Sequence, residues 1–120
     1  MTDLSLDLIK STGGVVGSLV KKEIYYHAKG QTHKVDIHVR PSSYEQAIRE
    51  FELQKQGSDV LVSRLMASIF DRKGNPLFTD ESQITGDPVT GEGKLCASLF
   101  FSLLKAVSDV NGYTEDEVKN

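Results

Sequence analysis

Between Lys34 and Arg40 the chain alternates without a break. Val35, Ile37 and Val39 point one way, and Lys34, Asp36, His38 and Arg40 the other. A period of two predicts a half-buried β-strand. Upstream, "LVKKEIYYHAKG" supplies a partner strand across a turn at Gly30-Gln31, glycine first as a type II′ turn prefers. That register sets Tyr26 opposite Val35 and Ile24 opposite Ile37 on the inner face. Glu23 then faces His38, and Tyr25 faces Asp36, on the outer one. Before the hairpin, Leu4, Leu8 and Ile9 at helical spacing predict a short helix or docked arm that "STGG" ends.

After Pro41 the period changes to that of a helix. Ser42-x-x-Glu45 and Ser43-x-x-Gln46 both fit a capping box. The helix they open runs to about Lys55 with Tyr44, Ala47, Ile48 and Phe51 on one face. Gly57 breaks it, and Asp59 caps a second helical segment carrying Val60, Leu61, Leu65, Met66 and Ile69. That segment leads to a turn at Lys73-Gly74-Asn75, either directly or through a small hairpin of 68–70 with 77–79. Pro76-Leu77-Phe78 forms an apolar plug, and Thr79-Asp80 caps a short helix through Ile84. "TGDPVTGEG" (85–93) reads as a loop. The last helix carries a broad apolar stripe, Leu95, Leu99, Phe100, Leu103, Leu104, Val107 and Val110, and Asn111-Gly112 stops it.

The elements predict an α+β fold: a β-hairpin near the N-terminal third packed with three to four α-helices, the C-terminal two-thirds mainly helical. Residues 1–112 form a single domain in this reading, and 113–120 an acidic, disordered tail.

Charge and composition narrow the function classes. The 120 residues are 38% hydrophobic and 26% charged, with a net charge of −3, as in an ordinary soluble domain. An acidic balance gives nucleic-acid binding no global support, because phosphate contacts demand cations. A single cysteine, Cys96, excludes an internal disulfide and suits a reducing compartment. No apolar run approaches the about 20 residues of a membrane span. "MTDLSLDLIK" lacks the basic start of a signal peptide. The expectation is a cytoplasmic protein with no membrane and no nucleic-acid partner.

Enzyme chemistry finds no constellation. "GEGK" (91–94) precedes a helix, but a phosphate-binding loop needs glycine at 88 and Ser or Thr at 95, where this chain has Pro88 and Leu95. His27 and His38 share the outer face of the hairpin about 13 Å apart at 3.3 Å per residue, and His33 points to the inner face. Zinc needs its nitrogens about 2 Å away in one cluster. Cys96 sits in the first turn of the last helix near the edge of its stripe, and reads as a buried or half-buried side chain. Asp80, Glu81, Asp87 and Glu92 lack the spacing of a calcium loop and serve capping and solvation. No catalytic residue, cofactor or metal is expected.

What remains is apolar surface. Leu99, Phe100, Leu103, Leu104 and Val107 cover more of a helix than one neighbour buries in so small a domain. Two roles are open for them: the core against which Phe51, Leu65 and Phe78 pack, or a face for a partner or for self-association.

A hairpin ending in "VRP", a capped helix, "FDRKGNPLFTDES" and a closing Ala- and Leu-rich helix with "VSDVNG" follow one another in order. This order resembles the tail assembly chaperones of bacteriophages, the siphophages in particular, most sharply at Gly74 and Pro76-Leu77-Phe78-Thr79 with Asp80 and Glu81. The likeness covers most of 19–112 in organisation. One departure is "TGDPVTGEG", where relatives run almost uninterrupted into helix. The resemblance implies a non-enzymatic late viral protein in the host cytoplasm. It would bind the tape measure protein, keep it soluble and promote polymerisation of tail tube protein around it, and be absent from the mature virion. It also implies that a frameshifted longer form recruits tube protein, this chain being the shorter product. The competing expectation is a structural tail component, a tube or terminator subunit.

Overall fold

A computed structural model describes residues 3–12, 14 and 17–111. Its elements are α1 (Leu6–Ser11), β1 (Val20–Ala28), β2 (Gln31–Val39), α2 (Tyr44–Lys55), α3 (Val60–Ser68), β3 (Ile69–Phe70), α4 (Ser82–Thr85) and α5 (Ala97–Val110). The fold is α+β, with an antiparallel sheet of order β1-β2-β3. The expectation of a mainly helical C-terminal two-thirds is not confirmed: between β3 and α5 the chain is turns and loops around α4, four residues long. The tail expected at 113–120 lies outside the described residues.

The hairpin forms, two residues out of the expected register. Ala28 pairs with Gln31, Tyr26 with His33, Ile24 with Val35 and Val20 with Val39. The turn is Lys29-Gly30, with φ of 53° and 75°, the paired positive values of a type I′ turn. This twist matches that of the flanking strands, and it outweighs the strain of one non-glycine residue at positive φ. A slip of two preserves the faces, so Ile24, Ile37 and Val39 are buried as their alternation requires.

Ser43 caps α2 by accepting the Gln46 N–H at 3.3 Å, and Asp59 caps α3 by accepting from Leu61 and Val62. α3 ends in extended backbone at Ile69, and β3 joins the edge of β2 beside His38 and Val39. The turn that follows is built on Asp71. Its carboxylate accepts the N–H groups of Lys73 and Asn75, which holds its pKa below the usual carboxylate value, chiefly through the Asn75 bond. Gly74 takes φ 92° in this turn. Leu77 N–H then donates to Ile69 C=O at 3.0 Å, and Phe78 enters the core.

α4 is held by Gln83, whose Oε1 accepts from Thr79 N–H at 2.7 Å and Asp80 N–H at 3.1 Å, while Asp80 accepts from Ser82. The 85–93 loop closes on itself: Asp87 accepts from Val89 and Thr90, and its own N–H reaches Glu92 C=O at 2.7 Å. Gly86 is required there, because at φ 95° a Cβ would lie 2.8 Å from Lys94 Cγ. α5 packs along β1, with Leu103, Ala106 and Val107 buried against the inner face of the hairpin and α3.

Candidate partner-binding surfaces

The stripe on α5 divides by depth. Leu103 and Val107 are buried in the core, whereas Leu99, Phe100 and Leu104 are half-buried at its margin. As the chain is folded, sheet packing occupies Leu103 and Val107, so a partner reaching this helix meets Leu99, Phe100 and Leu104. Phe101, on the far side of α5, is exposed and lies edge-on to Phe100 at 5.5 Å. Leu65 and Phe78 are core residues, as the sequence allowed.

α2 is oriented against its own pattern. Tyr44 is 81% exposed, Ile48 44% and Phe51 59%. The face turned to the molecule is instead Gln46, Glu50 and Leu53. Gln46 is buried and donates through Nε2 to Ser68 Oγ at 2.5 Å; Glu50 Oε1 lies 3.5 Å from Arg64 Nε. α3 presents these polar partners because its own apolar face, Val62, Leu65 and Met66, is turned to the core. The expectation that Phe51 helps to form the core is therefore corrected. Val60 and Leu61 at the start of α3 are also exposed.

Beneath the sheet lies a cleft of about 420 Å³ lined by, among others, Tyr26, Val35, Ile37, Leu77, Phe78 and Leu99. Its walls are largely apolar. Above it, on the outer face, Lys34 reaches Glu23 at 3.3 Å and Lys21 reaches Asp36 at 3.6 Å. The hydrogen bond and charge of Glu23 raise the Lys34 pKa.

The three histidines are placed apart. His27 bonds Thr32 Oγ1 through Nδ1 at 2.8 Å, and His33 stacks on Tyr26 on the inner face with ring centroids 5.0 Å apart. Among the described residues no group of three His, Cys, Asp or Glu side chains is arranged to hold a metal ion, and no helix is long and apolar enough to cross a membrane. Cys96 is exposed at the N-cap of α5, not buried as its place on the stripe suggested. The helix starts at Ala97, two residues after the Leu95 that the stripe had placed on it.

Sequence reasoning missed the outward face of α2. Tyr44, Ile48 and Phe51 have the spacing of an ordinary packing stripe, and spacing does not say which side of a helix the rest of the fold covers. The only available signal was Gln46 and Glu50, four residues apart on the opposite face, matched by Arg64 and Ser68, also four apart in the next helix.

Neither a curated protein nor a solved structure matches this sequence. Residues 7–111 match the family described as phage tail assembly chaperone, TAC. That match begins within α1 and takes in every later element to the end of α5, so the chain belongs to the phage tail assembly chaperone family.

Proposed function

We propose that this protein binds the tape measure protein in the host cytoplasm, keeps it soluble, and promotes assembly of tail tube protein around it without catalysing a reaction. The observation that carries the reading is the outward stripe of α2. An amphipathic helix whose polar side is docked and whose apolar side meets water is a ready surface for another amphipathic helix. Tyr44, Ile48 and Phe51 have the i, i+4, i+7 spacing that such a contact uses. Fully covering a large apolar side chain contributes about 1.5–3 kcal/mol, and the exposed parts of these three contribute a share of that each towards offsetting the cost of association.

The α5 residues belong to the same proposal as a second contact. Leu99, Phe100 and Leu104 offer their exposed edges, and Leu103 and Val107 hold the helix in place beneath them. Self-association along a long partner would add avidity.

Co-expression with the tape measure protein of the same genome tests this. A soluble complex is expected, and Ile48→Glu with Phe51→Glu should lose it while leaving the isolated fold intact. If the tape measure protein precipitates equally with and without this chain, the proposal fails. Recovery of the chain from purified particles would instead support a structural tail component.

A further inference from the structure

We propose that the open edge of β2, from Thr32 to Asp36, is a strand-addition site for an extended segment of another polypeptide whose alternate apolar side chains enter the cleft beneath. This does not rest on the tape measure reading, which concerns helix faces.

The pairing pattern establishes which groups are free. The two-residue turn makes Ala28 and Gln31 a hydrogen-bonded pair, so pairs at steps of two from it, Tyr26 with His33 and Ile24 with Val35, exchange main-chain bonds. Residues between them aim N–H and C=O out of the hairpin. On β1 this is seen directly: Tyr25 C=O accepts from Ser102 Oγ at 2.6 Å, and His27 N–H donates to Ser98 Oγ at 2.9 Å. α5 thus covers that edge at Tyr25 and His27. On β2 the outward residues are Thr32, Lys34, Asp36 and His38. Phe70 of β3 pairs with His38, and the chain then leaves the edge in the Asp71 turn. Among the described residues, the main-chain N–H and C=O of Thr32, Lys34 and Asp36 meet no hydrogen-bond partner.

Edges are commonly guarded by charged side chains standing over them. Here Lys34 and Asp36 instead lean across β1 to Glu23 and Lys21. Their charges are compensated within the hairpin and drawn away from the free edge, so the site asks for no particular charge.

The chemistry of the occupant follows. Donors and acceptors alternating at strand spacing are met by extended main chain, whereas a helix has satisfied its own. Below the edge the cleft presents Val35, 37% exposed, and Leu77, 46% exposed. A segment of about five residues, about 17 Å at 3.4 Å per residue, would continue the line of β3 and place every second side chain between them. A second copy fits less well, because pairing the Thr32–Asp36 edges about a two-fold axis would set Lys34 directly opposite its own copy, like charge against like.

The probe is a blocked heptapeptide, Lys-Thr-Val-Thr-Val-Thr-Lys, titrated to millimolar concentration into the isotope-labelled full chain. Amide resonances of Thr32, Lys34 and Asp36 should shift, and exchange at Lys34 and Asp36 should slow by about tenfold or more. Methylating the peptide amides that face the edge should abolish binding, and methylating the alternate set should not. Lys34→Pro removes an outward N–H that the β1–β2 ladder does not use, so it should weaken binding about tenfold while Ile24 and Val35 stay protected. If that variant unfolds, the two methylated peptides decide. No shift, shifts confined to α2, equal binding by both methylated peptides, or protection of the same amides on concentrating the protein alone would each overturn the proposal.

Discussion

Phe78→Ala is the sharpest test of how the apolar plug is anchored. The ring is 7% exposed within the core, while its neighbour Leu77 is 46% exposed on the wall of the cleft. Truncating a buried phenylalanine costs about 3–5 kcal/mol, more where the site cannot collapse. Collapse is restricted here, because the main chain is tied on both sides of the ring. Leu77 N–H bonds Ile69 C=O at 3.0 Å, and Thr79 N–H bonds Gln83 Oε1 at 2.7 Å. The upper half of the range, about 4–5 kcal/mol, is therefore expected. Leu77→Ala removes a side chain only half withdrawn from water and should cost about 1 kcal/mol. At roughly 4–8 °C per kcal/mol for a small domain, the two variants should differ in melting temperature by at least about 12 °C. Urea denaturation of both, with the slope m unchanged, gives the free energies directly. Equal costs for the two, or a cost below about 1 kcal/mol for Phe78→Ala, would refute the anchoring.

Three further outcomes are expected. Ser68→Ala strands the buried amide of Gln46, whose Oε1 already lacks a partner, and should destabilise by about 1–3 kcal/mol, whereas adding Gln46→Met should restore stability to within about 1 kcal/mol because both polar partners are gone; urea midpoints of the pair measure this. Ser98→Ala with Ser102→Ala should speed amide exchange at His27 by about tenfold and leave Ile24 unchanged, since one bond belongs to the α5 brace and the other to the hairpin ladder. Asp71, Asp80 and Asp87 have pKa values lowered below 3.8, chiefly by the Asn75 N–H, the Ser82 side chain and the Thr90 N–H respectively. Their contribution is complete above the ordinary carboxylate value and is lost as pH falls through the lowered ones, so melting temperature should decline below about pH 4, less steeply in Asp71→Asn.

The chain belongs to the phage tail assembly chaperone family, and the proposed reading takes the exposed α2 stripe as its partner surface. The two surfaces proposed here differ in the structure they accept. The α2 face suits a helix, and the β2 edge an extended segment. The two can be lost separately by Phe51→Glu and Lys34→Pro.

The sequence by itself determined whatever depends on near neighbours. Alternation at 34–40 set the inner and outer faces of the hairpin, and a register error of two left them unchanged because strand side chains repeat every two residues. Ser43, Asp59 and Gly74 marked the starts of α2 and α3 and the turn after β3 through bonds and φ values that are local. The exact register was not legible, because Lys29 at positive φ is chosen by strand twist over glycine preference. Tertiary structure decided which side of each helix meets water. α5 buried Leu103 and Val107 because the hairpin lay beneath them, and α2 has Gln46 and Glu50 turned to Ser68 and Arg64 with Phe51 outward. It also decided which stretches of the sheet edges are covered: α5 brings two serines to Tyr25 and His27 of β1, and β3 reaches only His38 and Val39 of β2. Local bonding is written in adjacent residues, but exposure is a property of what the rest of the chain covers.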